Sequence, residues 1–150
     1  GLEFIAGQPP AVNNQVFFRH NGPVTQTIST AFSSLLFETS VENSTDVSYA
    51  LGTITVESSG AYTISYQIST NATTAARTGT ECKIQVDGTD VDGSLVYVYN
   101  RNTTDGRASS SATVRVQLNA GQTVVVQGRG TFTPVVTLPN ACRLLITKDI

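Results

Sequence analysis

The run Gly60-Ala61-Tyr62-Thr63-Ile64-Ser65-Tyr66-Gln67-Ile68-Ser69-Thr70 decides the architecture. From Tyr62 to Ile68 every second residue is apolar, and the residues between carry hydroxyls or an amide. Successive side chains of a β-strand point to opposite faces, so Tyr62, Ile64, Tyr66 and Ile68 share one face and Thr63, Ser65, Gln67 and Ser69 the other. The same alternation spreads outward from this run. Residues 81–87 set Cys82, Ile84 and Val86 against Glu81, Lys83 and Gln85. Residues 109–118 set Ala112, Val114, Val116 and Leu118 against Thr113, Arg115 and Gln117. Further strands are expected over 16–19, 35–38, 53–57, 95–99, 123–127 and 141–148. No helical period occurs. Turn-forming clusters separate the runs, among them Asp87-Gly88, Asp92-Gly93, Asp105-Gly106 and Asn119-Ala120-Gly121. Short alternating strands punctuated in this way predict an all-β fold, a two-sheet antiparallel sandwich.

The chain has 150 residues, enough for one domain with a substantial core. Residues 1–15 read as an extended N-terminal arm or linker and 16–150 as a single domain. Only 13% of residues are charged, and the formal net charge is −2. Acidic and basic residues are interspersed, leaving no cationic stripe for phosphates, which argues against nucleic acid. No apolar run approaches the ~20 residues of a membrane-spanning helix. A surface built from Ser, Thr and amides suits strands rather than helices. Cys82 and Cys142 fall at inward-facing positions and read as reduced, buried thiols.

Two strands depart from alternation. Val124-Val125-Val126 and Leu144-Leu145-Ile146 are apolar on both faces, whereas a strand of a two-layer sandwich needs only one. Something must cover the second face: another copy of the chain, or loops and the N-terminal tail folded across it. Leu2, Phe4 and Ile5 give the polar arm an apolar tip, either an anchoring device or the end of a longer parent chain.

These residues resemble a known pattern. Gly52-Thr53-Ile54-Thr55-Val56-Glu57-Ser58-Ser59-Gly60-Ala61-Tyr62 is similar to the signature of the complement and tumour-necrosis-factor-like jelly rolls, with Gly60 and Tyr62 on its Gly and Tyr. Ile84-Gln85-Val86-Asp87-Gly88 resembles the family's L-x-V-N-G hairpin, and Leu118-Asn119-Ala120-Gly121-Gln122-Thr123-Val124 its L-x-x-G-D-x-V hairpin. Residues 141–148 resemble its closing strand. The family's Pro before the Gly is Ser58, and the aromatic and Gly of the closing strand are Cys142 and Leu144. In texture the chain is similar to bacterial and phage members, such as the heads of collagen-like exosporium proteins and phage head-fibre or decoration heads.

The resemblance implies a ten-strand jelly roll assembled as a homotrimer, with Val124, Val125, Val126, Leu144, Leu145 and Ile146 in strands that meet at the threefold axis. It also implies that the 81–87 and 141–148 strands lie side by side and antiparallel. The two cysteines would then sit at opposite ends of a ladder, beyond the ~7 Å that a disulfide tolerates.

Residues able to carry catalysis are sparse. His20 is the single imidazole and lies in the turn Arg19-His20-Asn21-Gly22-Pro23, where it reads as a solvated or capping side chain. Glu38, Glu42 and Glu57 lie on separate elements without acid–base context. The acidic cluster Asp87, Asp90 and Asp92 offers calcium ligands, but it lacks EF-hand spacing and twice contains the Asp-Gly of hairpin turns. No catalytic residue, metal or cofactor is assigned. Tyr97, Tyr99 and Arg101 form the combination of aromatic rings and a guanidinium that suits a receptor or glycan contact.

The function expected from these features is a non-enzymatic trimeric module displayed on a particle. A virion setting fits: a phage capsid decoration, head fibre or receptor-binding head joined to the particle through the arm. The alternative is the ligand-binding head of a secreted or spore-surface collagen-like protein. A glycan-hydrolase tip is the remote alternative.

Overall fold

The computed structural model describes residues 16–150, which contain strands and no helix. In chain order the strands are β1 (Val16–His20), β2 (Thr27–Ile28), β3 (Ser33–Ser34), β4 (Thr39–Glu42), β5 (Val47–Ala50), β6 (Thr53–Val56), β7 (Gly60–Ala72), β8 (Thr78–Val86), β9 (Thr89–Asp90), β10 (Val96–Asn100), β11 (Ala108–Leu118), β12 (Thr123–Gly130), β13 (Val135–Thr137) and β14 (Arg143–Lys148).

They form two antiparallel sheets. In sheet A, residues 60–70 of β7 pair with β11. Its other edge is shared by β14, opposite residues 62–67, and β13, opposite residues 70–72. Beyond β14 come β1 and then β4, and beyond β13 comes β2. Sheet B runs β10-β8-β12-β6-β5, with β3 added to β12 and β9 to β8. This is a jelly-roll sandwich, as the alternation and the resemblance implied.

The core is the inward half of each alternating run. Tyr62, Ile64, Tyr66 and Ile68 of β7 are each at most 1% exposed, and Cys82, Ile84, Val124 and Val126 meet them from sheet B. Side chains from two twisted sheets interdigitate here, which excludes water from both inner faces. Two loop ends show why the quoted signature reads as it does. Gly60 lies under the C-terminal end of the chain, and a Cβ there would strike the carbonyl oxygen of Ile150. Tyr62, two residues on, is buried and donates its hydroxyl to the carbonyl of Ser58 at 2.5 Å. Asp87 and Gly88 both have positive φ (48° and 79°), the backbone of a two-residue hairpin turn joining β8 to β9.

Several expectations need correction. Residues 35–38 are extended but form no strand. Leu35 and Phe37 are buried, yet the amides of Leu36 and Phe37 go to side chains, Gln26 Oε1 at 3.0 Å and Tyr49 Oη at 2.8 Å. The Leu35 amide still reaches the Val126 carbonyl at 2.8 Å, but beyond it Arg19 binds the carbonyls of Phe37 and Glu38 at 2.6 and 3.1 Å, so side chains replace the ladder there. The count of ten strands gives way to fourteen segments, several of two residues, because the edges break at bends. The strand of residues 81–87 and that of 141–148 are not neighbours: β8 belongs to sheet B and β14 to sheet A. Cys82, on β8, and Cys142, just before β14, are both buried and both free.

Candidate functional site

Two surfaces collect the candidate residues. The first is the open face of sheet A. Strand pairing sets Phe18 of β1, Leu145 of β14, Ser65 of β7 and Thr113 of β11 in one row across the sheet. Arg143, Gln67 and Ser111 form the next row, and Thr147, Thr63 and Arg115 the row on the other side. A depression of about 280 Å³ lies between Phe18, Ser65, Arg143 and Leu145. A second, of about 370 Å³, continues past Phe18 to His20 and residues 140–143.

Several hydroxyls of this face are already hydrogen-bonded within it. Ser69 and Ser109 share a bond of 2.6 Å, Thr113 donates to Ser65 at 3.0 Å, and Thr63 donates to Asp149 at 2.6 Å. Arg115 approaches the same carboxylate at 3.5 Å. Hydroxyls satisfied by one another lose little when water is removed, so the part of the face they occupy can be covered at low cost.

The six residues expected at a threefold contact are divided by the fold. Val124 and Val126 lie inside the sandwich on sheet B, and Leu144 and Ile146 inside it on sheet A, each at most 2% exposed. Val125 and Leu145 point outward, but from opposite sheets. A single patch containing all six is thus ruled out by the side-chain alternation of the two strands. Leu145, 37% exposed, is the one that lies on the open face of sheet A. Phe18 beside it was not singled out by sequence, although it is the outward residue of Phe17-Phe18-Arg19 once Phe17 faces the core.

The second surface is the outer face of sheet B at its β10 edge. Tyr97 and Tyr99 point outward from this edge strand and are 58% and 50% exposed. Tyr97 stands opposite Glu81 of β8, and Tyr99 opposite Gly79. Gly79 has no side chain, and the outer end of the Tyr97 ring lies where its Cβ would be. The ring is therefore laid across β8 rather than standing clear of the sheet. One strand further in, Arg129 of β12 faces Glu81, and its guanidinium binds the carboxylate at 2.9 Å. Phe32 lies against Arg129 and Lys83, 4.8 and 4.1 Å from ring centre to cation. Lys83 is itself paired with Asp90 at 2.9 Å. Arg101, expected alongside the tyrosines, continues the outward alternation and approaches Asp105 at 3.8 Å. Its loop is fixed by Asn102 Oδ1, which accepts the amides of Thr104 and Asp105.

The remaining candidates hold the backbone. His20 Nδ1 accepts the amide of Gly22 at 2.9 Å, the capping role expected of it. Glu38 accepts the Tyr49 hydroxyl and Glu57 that of Ser48, each at 2.9 Å, at separate places. Asp87 accepts the Thr123 amide at 2.8 Å; this bond holds its carboxyl below the usual carboxylate range. Bonds from Gln85 and Lys83 lower Asp90 in the same way. Among the described residues no group of three or more His, Cys, Asp or Glu side chains is arranged to hold a metal ion. Burial pushes the Cys82 thiol up to about 12 and raises that of Cys142, so neither is a ready nucleophile at neutral pH. The arm tip Leu2, Phe4 and Ile5 lies outside the described residues.

No protein-family model matches the chain, and no curated protein matches its sequence. Solved structures do match its fold. Murine APRIL at pH 8.5 superposes with a TM-score of 0.62 at 14% identity, covering 89% of this chain and 98% of that one. The globular domain of the zebrafish complement 1qA protein gives 0.62 at 13% identity over 91% and 98%. Eiger TNF from S. frugiperda gives 0.59 at 14% identity over 90% and 92%. At such identities the likeness shows the jelly-roll fold and nothing finer.

Proposed function

We propose that this chain is a non-enzymatic head that works as a homotrimer, with the open face of sheet A turned to the threefold axis. The observation that carries this reading is the Phe18–Leu145 row set among hydroxyls that already bond one another. Exposed Leu145 and half-buried Phe18 form an apolar strip beside hydroxyls that bond one another, so covering them costs few water bonds. The fold likeness to a tumour-necrosis-factor ligand and a complement globular domain supports the same geometry. The head would sit on the surface of a larger particle, a virion in our reading: a phage capsid decoration, head fibre or receptor-binding head, attached through residues 1–15. The likeness to a complement globular domain favours one other setting, the head of a secreted or spore-surface collagen-like protein. A Gly-x-y repeat upstream of residue 1 would decide for it.

The test is a pair of substitutions on opposite faces. Leu145→Glu places a carboxylate in the strip and is expected to convert trimer to monomer in sedimentation, with the β circular-dichroism spectrum kept. Val125→Glu, on the outer face of sheet B, is expected to leave the trimer intact. Trimers in both variants would overturn the choice of face.

A further inference from the structure

We propose that Tyr97, Tyr99 and the Glu81–Arg129 pair form a shallow docking ledge for an uncharged saccharide. This goes beyond the assembly reading, and every group involved lies within one protomer.

Two large rings stand in water at this edge. Tyr97 and Tyr99 are outward neighbours on one strand, so their Cα atoms are about 7 Å apart at two residues of rise. The described residues offer no hydrogen-bond partner to either hydroxyl. Neither ring serves the core, whose aromatic residues are Phe17, Phe37, Tyr62 and Tyr66. Exposed rings on an uncharged edge strand are a liability unless something uses them.

The rings are also held in place. Gly79 leaves a slot that the outer end of Tyr97 fills, and β8 is fixed between β10 and β12 by continuous ladders. Tyr97 thus presents a ring face to solvent from a rigid support, which lowers the entropy lost on binding.

The polar groups then choose the ligand class. Glu81 and Arg129 stand directly inward of Tyr97 and are joined to each other, so together they offer acceptors and donors with no net charge. Lys83 with Asp90, and Arg101 with Asp105, are likewise paired. An anion would have to compete with a carboxylate for each of these cations. A neutral polyhydroxyl ligand matches instead: its C–H faces cover the rings and its hydroxyls reach the pair and the free phenols.

The test uses the full chain on a printed set of neutral gluco-, galacto-, manno- and N-acetylglucosamine hexasaccharides, beside sialylated and sulfated ones. Retention on at least one neutral series is expected. Tyr97→Ala and Tyr99→Ala should each weaken it tenfold or more. Gly79→Ala should weaken it comparably although both rings remain, because the added methyl displaces the Tyr97 ring. Tyr97→Phe should keep most of the binding. Thermal melts on the same samples separate these effects from misfolding. Retention on no neutral glycan, retention on the anionic ones alone, or retention unchanged in the alanine variants would each overturn the ledge. Solution mass measured on the same samples keeps the two readings apart: a trimer that ignores neutral glycans overturns the ledge alone, and a glycan-binding monomer overturns the trimer alone.

Discussion

Thr70 of β7 and Thr80 of β8 share a hydroxyl–hydroxyl hydrogen bond of 2.7 Å in the middle of the sandwich, one from each sheet. Thr80 donates its only proton to Asn100 Oδ1 at 2.7 Å, so the proton between the threonines belongs to Thr70. Asn100 Nδ2 returns a bond to Thr70 Oγ1 at 3.2 Å and closes a ring of three side chains, each fully buried. The same amide holds the carbonyl of Gly106 at 2.7 Å, tying the β10–β11 loop to the core. Asn100→Ala should leave the Thr80 proton without its acceptor and the Gly106 carbonyl without its donor, while the Thr70–Thr80 bond remains, and should lower stability by about 3 kcal/mol. In a double-mutant cycle, Thr70→Val with Thr80→Val should cost less than the sum of the singles, because the pair leaves together. Additive losses in urea unfolding would show that the ring is not coupled.

Gly60 should tolerate no side chain. Its space is taken by the Ile150 carbonyl and by the Lys148 side chain, whose amine reaches Ser58 Oγ at 2.6 Å. Gly60→Ala should destabilise by about 1–3 kcal/mol through overpacking, read as a lower urea midpoint with an unchanged slope. A wild-type midpoint would mean that the C-terminal residues are not held against β7.

Alkaline pH should unfold the chain through groups that stay protonated when folded. Burial pushes the Tyr62 phenol up to about 12, with the Asp46 carboxylate adding to it, and raises Tyr66 further. The Cys82 thiol rises from 9.0 to about 12. Above each unfolded value the unfolded chain binds fewer protons than the native one, so stability falls as pH rises. It should be level below pH ~9 and decline between about 9 and 12. Tyr62→Phe should make the decline above pH ~10 shallower. A midpoint that does not move across that window would contradict the burial of these groups.

Calcium should have no effect on stability. Asp87 is occupied by Thr123 and Asp90 by Lys83 and Gln85, and Asp87 sits in a turn that a cation would have to open. Thermal midpoints in millimolar calcium and in chelator should coincide. A rise with calcium would reassign this hairpin as a metal loop.

Period-two alternation carried most of the fold. Wherever a run had one apolar and one polar face, as in β7, β8 and β11, its strand and its inward residues could be read directly. Alternation failed at residues 35–38, where Leu35 and Phe37 alternate properly but the backbone bonds beyond the Leu35 amide go to the side chains of Gln26, Tyr49 and Arg19. It also failed for β13 and β2, whose two or three residues are too short to show a period. The apolar triplets pointed to covered outer faces, but a triplet does not say which sheet its strand joins. Sheet assignment depends on the order of crossovers, so Val125 and Leu145 proved to lie on opposite sides. On the β10 edge, Tyr97 and Tyr99 were legible as outward residues, whereas the Gly79 slot and the Glu81–Arg129 pair exist only once β8 lies between β10 and β12.

The most direct test is the mass of the intact chain in solution by light scattering. Three chains of 15.9 kDa per particle is the predicted result, unchanged when residues 1–15 are removed. A single-chain mass at micromolar concentration would contradict the account, and would leave the Phe18–Leu145 strip as an ordinary exposed feature of a self-contained sandwich.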